Sequence, residues 1–273
     1  MRILASKYLL VWCTLLTILI GSSCKKQEYK PSVLVFAHAG MSLFGERSIY
    51  PANSFETIEY SVDVLGAEGI EIDVQMTKDS VLVLFHDAYI TTSPEYDGCI
   101  GTYNWDVLKD LKLNNSLYSI TKLEPVMDFL VSRNVKIFLD LKPYNFCKSE
   151  NQPFEVFRNG LDSIMTNYTE DQKKLIIAGS FNVKLLLSLN TIYKSIETAN
   201  VDSAIELAEE NGFHYIMLPS KLVGEEEALK LDRSPFNWGV FGGKSNGEIR
   251  KTISVNPGCF ISDNFVYTQK ITR

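Results

Sequence analysis

The chain lacks the sequence features of several large classes of protein. Its five cysteines have unrelated spacings, so we expect neither a disulfide framework nor a cysteine-based zinc site, although a single bridge stays possible. Its formal net charge is −6, and no stripe of lysine and arginine interrupts that acidic balance. The sequence therefore offers no electrostatic footprint for nucleic acid. It also contains no internal repeat and no long linker, which favours one large domain.

Residues 1–23 have the organisation of a bacterial secretory signal. Arg2 and Lys7 precede a largely apolar run of 13 residues, Tyr8–Ile20, and small residues then lead to Cys24. This run is shorter than the ~20 residues that a membrane span needs. We expect a lipoprotein signal, with Cys24 as the lipidated first residue of an exported chain in the periplasm or at the outer membrane. Simple secretion and an uncleaved anchor are the alternatives.

The remainder of the chain has the length and pattern of a single α/β domain. Residues 24–31 are polar and tether-like, and residues 32–273 match the length typical of a (β/α)8 barrel. Short β-rich runs alternate with helical patterns, which favours parallel pairing of the strands. We therefore predict a TIM (β/α)8 barrel.

The predicted elements follow from apolar periodicity and from residues that stop helices. The predicted helices are Ser54–Leu65, Pro125–Arg133, Val183–Leu189 and Val201–Glu210. The predicted strands are Val33–Ala37, Ile70–Gln75, Val81–Phe85, Val135–Leu141, Lys174–Gly179, one within Thr191–Thr198, Phe213–Leu218, Trp238–Phe241 and Cys259–Ser262.

One predicted strand breaks the alternation of strands and helices. The run that begins at Val81 follows the preceding run after only five residues, which is too short for a helical crossover and predicts an antiparallel hairpin. A two-residue turn makes Glu71 face His86 and places Asp73 on the same face of the hairpin. A three-residue loop would shift this register. We expect the hairpin to extend the barrel and to carry part of an active site.

Five chemically capable side chains lie within or just after the predicted strands: His38, Glu71, Asp73, His86 and Asp140. Strand ends of a barrel converge on one face, and two of the three histidines of the chain lie at such ends. Carboxylates are the ligands that Ca²⁺ or Mg²⁺ prefers, and imidazoles exchange protons near neutral pH. A cation and a positioned acid together lower the barrier to cleavage of an anionic phosphodiester. These five side chains therefore predict cation-assisted cleavage of a phosphodiester.

The motifs around these residues resemble, in the same order, those of the glycerophosphodiester phosphodiesterase family. They are His38-Ala39-Gly40, Asn53-Ser54, the run from Glu71 to Asp79, Phe85-His86-Asp87 and Asp140-Leu141-Lys142. The resemblance implies a TIM barrel that hydrolyses glycerophosphodiesters to an alcohol and glycerol phosphate with a divalent cation. The substrate would be a small-molecule phosphodiester, and the only membrane contact would be the N-terminal lipid anchor.

The resemblance also implies roles for single residues. His38 and His86 would form the acid–base pair, and Glu71, Asp73 and Asp140 would hold the cation, either Ca²⁺ or Mg²⁺. The predicted substrate-binding or phosphate-binding residues are Lys142, Asn53 and Trp238. Structural roles stay open for these three: an ion pair with Asp140, a helix N-cap and a core position, respectively.

Three positions depart from the family pattern. Ala39 stands where the family usually has arginine, Ala52 where it usually has glutamate, and Asp140 where it usually has glutamate. The chain resembles a divergent His-Ala-Gly branch of the family, which indicates an altered substrate. The reaction type is therefore predicted more firmly than the substrate.

Other functions are compatible with the same residues. A phospholipase C-like or D-like barrel acting on lipid headgroups would need an extended apolar rim around the site. A ligand-binding lipoprotein that has lost catalysis is suggested by Ala39 and Ala52, but both histidines and all three acids are retained. A zinc hydrolase could use His38, His86 and a carboxylate.

Overall fold

The structure is a computed structural model that describes residues 33–43, 48–91, 96, 98–113, 116–142, 154–191 and 193–273. Residues 31–273 form one compact unit. The predicted signal, Cys24 and the predicted tether lie outside the described residues. None of the described helices is long and apolar enough to span a membrane.

Within the described residues, eight parallel strands close into a barrel, as the sequence predicts. The first strand pairs with both the second strand and the last strand, so the ring of parallel strands is closed and has no free edge. A ninth, antiparallel strand pairs with the outside of β2 and forms the expected hairpin. The strands are β1 Leu34–Ala37, β2 Gly69–Met76, β3 Leu82–Leu84, β4 Lys136–Leu141, β5 Ile176–Ser180, β6 Tyr193–Glu197, β7 Tyr215–Pro219, β8 Asn237–Gly242 and β9 Cys259–Ser262.

Ten α-helices alternate with the strands in the described part of the chain. They are α1 Phe55–Glu59, α2 Trp105–Leu108, α3 Leu123–Ser132, α4 Phe154–Met165, α5 Glu170–Lys173, α6 Val183–Ser188, α7 Val201–Asn211, α8 Glu225–Arg233, α9 Asn246–Ser254 and α10 Phe265–Thr272. Short 3₁₀ turns cover His38–Gly40, Ile100–Thr102 and Ser220–Leu222.

The helix predicted after the first strand is present, but its start differs in detail. Ser54, not Asn53, is the N-cap, since its side chain accepts the backbone N–H of Thr57 at 3.2 Å. The helix continues from α1 into a π-helical turn, Tyr60–Val64, and stops where Gly66 adopts a φ of +67°. The N-cap role considered for Asn53 is therefore wrong, which leaves its side chain for another task.

Strand alternation separates the apolar core from the polar end of the barrel. Ile70, Ile72 and Val74 of β2 are fully buried in the main core, and Glu71 and Asp73 alternate with them. Full burial of one such aliphatic side chain stabilises the fold by roughly 1.5–3 kcal/mol. A smaller cluster around Phe36, Phe138, Ile177, Met217, Cys259 and Ile261 supports the acidic residues from below.

The hairpin has a different register from the expected one. Gln75 pairs with Val83, and Asp73 O accepts the backbone N–H of Phe85 at 3.0 Å, so the pairing is shifted by one residue. The reason is the turn, in which Ser80 adopts a φ of +67° and donates its N–H to Thr77 O at 3.0 Å. The prediction that Glu71 faces His86 across the hairpin is therefore wrong.

The chain brings His86 to the barrel by a different route. β3 ends at Leu84, so His86 lies beyond the ladder and the strand pleat does not set its direction. Val83 and Phe85 belong to a second apolar cluster, apart from Ile72 and Val74. His86 is still positioned beside the polar end of the barrel.

Two of the five cysteines lie in the described residues. Cys99 is disulfide-bonded, and Cys259 is a buried free thiol. Burial raises the pKa of the Cys259 thiol to about 12, so this thiol is unreactive at neutral pH. Cys147 lies outside the described residues.

Candidate active site

Three acidic residues converge at the carboxyl ends of β2 and β4. Asp73 pairs directly with Asp140 in the parallel ladder, and Glu71 lies two residues before Asp73 on the same face. One carboxylate oxygen from each of the three lies within 4.8 Å of the others. Parallel pairing thus brings together the residues that the sequence analysis named as cation ligands.

Asp73 is fixed from two sides. Asn53 Nδ2 donates to Asp73 Oδ2 at 2.7 Å, and Asn53 Oδ1 accepts the backbone N–H of Asp73 at 3.1 Å. On the other side, Lys142 Nζ lies 2.8 Å from Asp73 Oδ1. Burial alone would raise the pKa of Asp73, but Lys142, followed by His86 and His38, together outweigh it and hold that pKa below its ordinary value. Asp73 is therefore an ionised, preoriented carboxylate.

Lys142 lies between two acids. Its ammonium also bonds Asp140 Oδ2, and burial keeps the pKa of Asp140 above its ordinary value despite that bond. The side chain also lines the cavity described below, so it combines the ion pair considered from sequence with access to a ligand. Its predicted phosphate-binding role stays a prediction.

Glu71 is held by an unusual backbone segment. Ala39 has a φ of +50° and donates its N–H to Glu71 Oε2 at 2.7 Å. The other oxygen, Glu71 Oε1, is buried and has no hydrogen-bond partner among the described residues. Burial, followed by the charge of Asp73, raises the pKa of Glu71 to about 8. Ala39 is fully buried, so the structure offers no surface space for the arginine expected from the family pattern.

His38 follows β1 and is oriented by an aspartate. His38 Nδ1 lies 2.6 Å from Asp263 Oδ1, and His38 Nε2 lies 3.8 Å from Glu71 Oε2. Burial on its own would lower the pKa of His38, but Glu71 and then Asp263 outweigh it and raise that pKa to about 9. Asp263 follows β9 and was not predicted as a site residue.

His86 is held through the backbone on both sides of it. Gln75 Nε2 donates to Phe85 O at 2.9 Å and to Asp87 O at 2.8 Å. His86 Nδ1 lies 2.8 Å from Asp87 Oδ1, and 37% of the histidine side chain is exposed. Gln75 therefore positions His86 more firmly than the exposed Asp87 can.

Both histidines line one cavity of about 560 Å³. Glu71, Asp140 and Lys142 lie at its base, and the carboxyl ends of β6, β7 and β8 form its far wall. This arrangement joins the acidic cluster to a space large enough for a small ligand.

The far wall of this cavity carries an acid that the sequence analysis missed. Glu197 ends β6, and its Oε1 is buried with no hydrogen-bond partner in the described part of the chain. An unsatisfied buried polar atom costs about 1–3 kcal/mol. Burial, followed by the charge of Asp140, raises the pKa of Glu197 well above its ordinary value. The sequence signal was an acid closing a strand within Thr191–Thr198, where the strand limits were not located.

A second cavity of about 310 Å³ lies on the other side of His86. It shares Leu43 and His86 with the large cavity and is otherwise lined mainly by apolar groups. These are Ala52, Phe85 and Leu113, with Asn53 and Asp87 as the polar members. The two cavities therefore meet at His86.

The structure does not bring Trp238 to the site. Trp238 is the second residue of β8, at its amino-terminal end, and it packs in the main core while its Nε1 donates to Asp232 Oδ1 at 2.8 Å. The substrate-binding role predicted for Trp238 is wrong, because the cavity lies at the carboxyl end of β8. Phe241 lines the large cavity instead. His214 is exposed and precedes β7, away from the acidic cluster, in keeping with its lack of a predicted catalytic role.

The acidic cluster fits a hard divalent cation. Glu71 Oε1 and Asp140 Oδ1 are buried and unpartnered among the described residues, so a cation would satisfy both. The described cluster contains carboxylates alone, while His38 Nδ1 already bonds Asp263. Oxygen-only donors favour Ca²⁺ or Mg²⁺ over zinc, which prefers nitrogen and sulfur ligands.

Comparison with known proteins finds glycerophosphodiester phosphodiesterases among the matches. Over 106 residues the chain is 31% identical to a glycerophosphodiester phosphodiesterase of Bacillus altitudinis, a match that covers 37% of this chain and 41% of that protein. It is 30% identical over 122 residues to a glycerophosphodiester phosphodiesterase of Caldanaerobacter subterraneus, covering 40% of this chain and 48% of that protein. These matches therefore span less than half the length of each relative.

The fold is also found in a solved structure. A phosphodiesterase from Oleispira antarctica, in complex with the product sn-glycerol-3-phosphate, superposes with a TM-score of 0.73 at 17% identity, covering 87% of this chain and 95% of that one. At this identity the likeness establishes the barrel fold. The sequence model of the glycerophosphoryl diester phosphodiesterase family matches residues 45–220, which is more than half of the chain, and the chain therefore belongs to that family.

Proposed function

We propose that this protein is a divalent-cation-dependent phosphodiesterase that cleaves glycerophosphodiesters to an alcohol and glycerol phosphate. The observation that supports this best is the convergence of Glu71, Asp73 and Asp140, two of which, Glu71 and Asp140, line the large cavity together with His38. Three carboxylates and two histidines around a ligand-sized space are what phosphodiester hydrolysis needs. Membership of the family points to the same reaction.

The acidic residues would hold the cation through Glu71, Asp73 and Asp140. When bound, a divalent cation supplies positive charge that stabilises the developing charge on the phosphate oxygens. Asn53 and Ala39 keep two of these carboxylates in place through hydrogen bonds of 2.7 Å. Lys142 adds a fixed positive charge at the edge of the same cluster.

The two histidines would share the proton transfers. Asp263 accepts from Nδ1 of His38, which directs Nε2 toward Glu71 and the cavity. A cation held by the acidic residues would offset the charge of Glu71 and lower the raised pKa of His38, so that Nε2 could take the proton of the attacking water or hydroxyl. His86 borders both cavities, so it is placed to protonate the alkoxide that leaves.

The two cavities match the two alcohols of a phosphodiester. The glycerol part would lie in the large cavity with the acidic cluster. The leaving alcohol would lie in the smaller cavity beyond His86, where Ala52 leaves space. Occupation of both cavities keeps the scissile bond beside His86.

We also propose export and lipid anchoring through Cys24. The support is the sequence pattern of residues 1–23, in which basic residues, an apolar run and small residues precede the cysteine. Cys24→Ser should then move the protein from the membrane fraction to a soluble fraction after cell lysis. Unchanged membrane association of this variant would contradict the proposal.

The proposed activity is tested by a hydrolysis screen with purified protein. The substrates are glycerophosphocholine, glycerophosphoethanolamine, glycerophosphoinositol and bis(p-nitrophenyl) phosphate, each with Ca²⁺, Mg²⁺ or EDTA. We expect release of glycerol phosphate from at least one glycerophosphodiester, its loss in EDTA and its return with excess cation. Full turnover in EDTA would rule out the cation, and no turnover of any substrate would contradict the assignment as an enzyme.

A further inference from the structure

Glu197 lies in the wall of the large cavity and has no task in the proposed mechanism. It ends β6, and β5 and β4 separate it from the acidic residues of β2. Its Oε1 is buried without a hydrogen-bond partner among the described residues, although the side chain lines the cavity. Native structures retain few such groups, so this carboxyl group calls for a partner.

The neighbouring strand leaves space for this side chain. A Cβ atom added to Gly179 would lie 2.8 Å from Glu197 Oε1 and 2.3 Å from Cζ of Phe138. Any residue larger than glycine would therefore displace the Glu197 carboxyl group from its place over β5. Glycine at position 179 of β5 therefore leaves the space that the Glu197 carboxyl group occupies.

The charges around Glu197 restrict the ligand group that it can meet. Lys142 already supplies a positive charge near Glu197, so this carboxyl group does not depend on a cationic group of the ligand. Asp140 and Glu197 itself disfavour an anionic group at this place. A neutral hydroxyl both donates and accepts hydrogen bonds, so it can pair with the carboxyl group of Glu197 in either protonation state.

We propose that Glu197 is a substrate-binding residue that hydrogen-bonds a hydroxyl group of the polyol part of the substrate. This inference rests on the proposed function, in which the polyol occupies the large cavity. It adds a hydroxyl-binding subsite at the end of β6, where the Glu197 carboxyl group lies over Gly179, the residue that pairs with Asp140. A substrate without the corresponding hydroxyl would leave Glu197 unpaired and would be discriminated against.

The test compares two diesters that differ by one hydroxyl group. One is glycerophosphocholine, and the other is the analogue in which 1,2-propanediol replaces glycerol and only the terminal hydroxyl is missing. The values of kcat/KM are measured for the wild type, Glu197→Ala and Glu197→Gln with excess divalent cation. Calorimetry in parallel compares the binding of glycerol 3-phosphate and 1,2-propanediol 1-phosphate to the same proteins.

We expect the wild type to prefer the glycerol compounds by roughly 10-fold or more, since a lost hydrogen bond in a buried site has this effect. Glu197→Ala should bring the ratio close to one by losing activity on the glycerol diester alone. Glu197→Gln should keep most of the preference, because its amide still pairs with a hydroxyl. Both variants should fold, since the replaced group has no partner in the described structure, and thermal melting checks this.

Glu248→Gln is the matched control. Glu248 lines the same cavity, but its carboxylate already accepts the backbone N–H groups of Lys244 and Ser245. This variant should retain the wild-type preference. An unchanged preference in Glu197→Ala, or an equal loss on both diesters, would overturn the inference. Wild-type protein that discriminates in binding but hydrolyses neither diester would contradict the proposed function and leave the Glu197 inference standing.

Discussion

Asp263 orients His38 from the opposite end of the chain, with 2.6 Å between His38 Nδ1 and Asp263 Oδ1. Closure of the barrel produces this contact, because β1 pairs with β9 and Ala37 lies beside Ser262. The residues that follow these two strands are His38 and Asp263. The same closure that completes the fold therefore positions one of the two proposed catalytic groups.

Replacement of Asp263 by asparagine should weaken this orientation. Asp263→Asn removes the charge but keeps the size of the side chain, so kcat should fall by about 10- to 100-fold with a smaller change in KM. The pKa of His38, followed by NMR, should also fall, since Asp263 helps to raise it. A merely structural role for Asp263 would leave that pKa unchanged.

Asp87→Asn is the control for this variant. It changes the aspartate beside the other histidine, but 58% of the Asp87 side chain is exposed and its pair with His86 is screened by solvent. We expect less than a few-fold change in kcat. A larger fall in kcat for Asp87→Asn than for Asp263→Asn would contradict the greater importance assigned to the His38–Asp263 pair.

Removal of either cavity histidine should abolish most of the activity. His38→Ala and His86→Ala should each lower kcat by ~10² or more, the range of general acid or base catalysis. His214→Ala should retain activity, because His214 is exposed and lies outside the cavity. Steady-state kinetics and thermal melting of the three variants provide the comparison. Equal losses in all three would contradict the assignment of the histidine pair.

Asn53 should act on cation affinity through Asp73. Asn53→Ala removes both hydrogen bonds that orient the Asp73 carboxylate and its backbone, so the Kd for the cation should rise by about 10- to 100-fold. Excess cation should restore much of the activity. Calorimetric titration with Ca²⁺ or Mg²⁺ measures the shift. If Asn53 instead binds phosphate directly, KM for the diester will rise while the Kd for the cation stays at the wild-type value.

The metal-free protein should lose stability as the pH rises. The pKa of Glu71 is raised from 4.5 to about 8 and that of His38 from 6.5 to about 9, so the folded state holds more protons than the unfolded state. The free energy of unfolding should therefore fall between about pH 4.5 and 9. Denaturant unfolding in EDTA at several pH values measures this slope.

Glu71→Gln and added cation provide two controls for this slope. The variant should flatten the part between about pH 4.5 and 8, where Glu71 deprotonates in the wild type. Ca²⁺ or Mg²⁺ should raise the melting temperature more at pH 8 than at pH 5, because protons compete with the cation for the same carboxylates. A cation effect that is larger at pH 5 would contradict the proposed ligands.

The sequence predicts the barrel well because its strands are short apolar runs with clear ends. Even the antiparallel strand β3 follows from the five-residue connection before it. The hairpin register does not, since one left-handed residue, Ser80, decides the loop length and shifts every pair by one position. The pattern of apolar and polar residues does not show which turn residue adopts a left-handed conformation, so it does not fix the register.

The candidate site is predicted in part. The predicted acids and histidines occur in compact motifs. Asp263 and Glu197 are isolated in the sequence, and only closure of the barrel brings them to His38 and to the cavity. Trp238 shows the converse case, because a residue near the end of a predicted strand can lie at either end of the real one. Its packing in the core follows from its place at the amino-terminal end of β8, away from the cavity.

The smaller cavity should set the size of the leaving alcohol. Ala52 lines it opposite His86, so Ala52→Phe would fill part of its 310 Å³ without touching the acidic cluster. We expect kcat/KM for glycerophosphoinositol to fall by about 10-fold or more, because a bulky leaving group would collide with the new ring. The value for a diester with methanol as its leaving alcohol should change little.

Val64→Phe provides the control for this prediction, since Val64 is 64% exposed and does not line either cavity. It should leave both substrates unaffected. An equal loss on the two diesters in Ala52→Phe would mean that the ring disturbs His86 or the cation ligands instead. Faster hydrolysis of the bulky diester would place the leaving alcohol elsewhere, because filling a binding cavity cannot improve the fit of a larger group. The ratio of the two kcat/KM values therefore tests the assignment of this cavity directly.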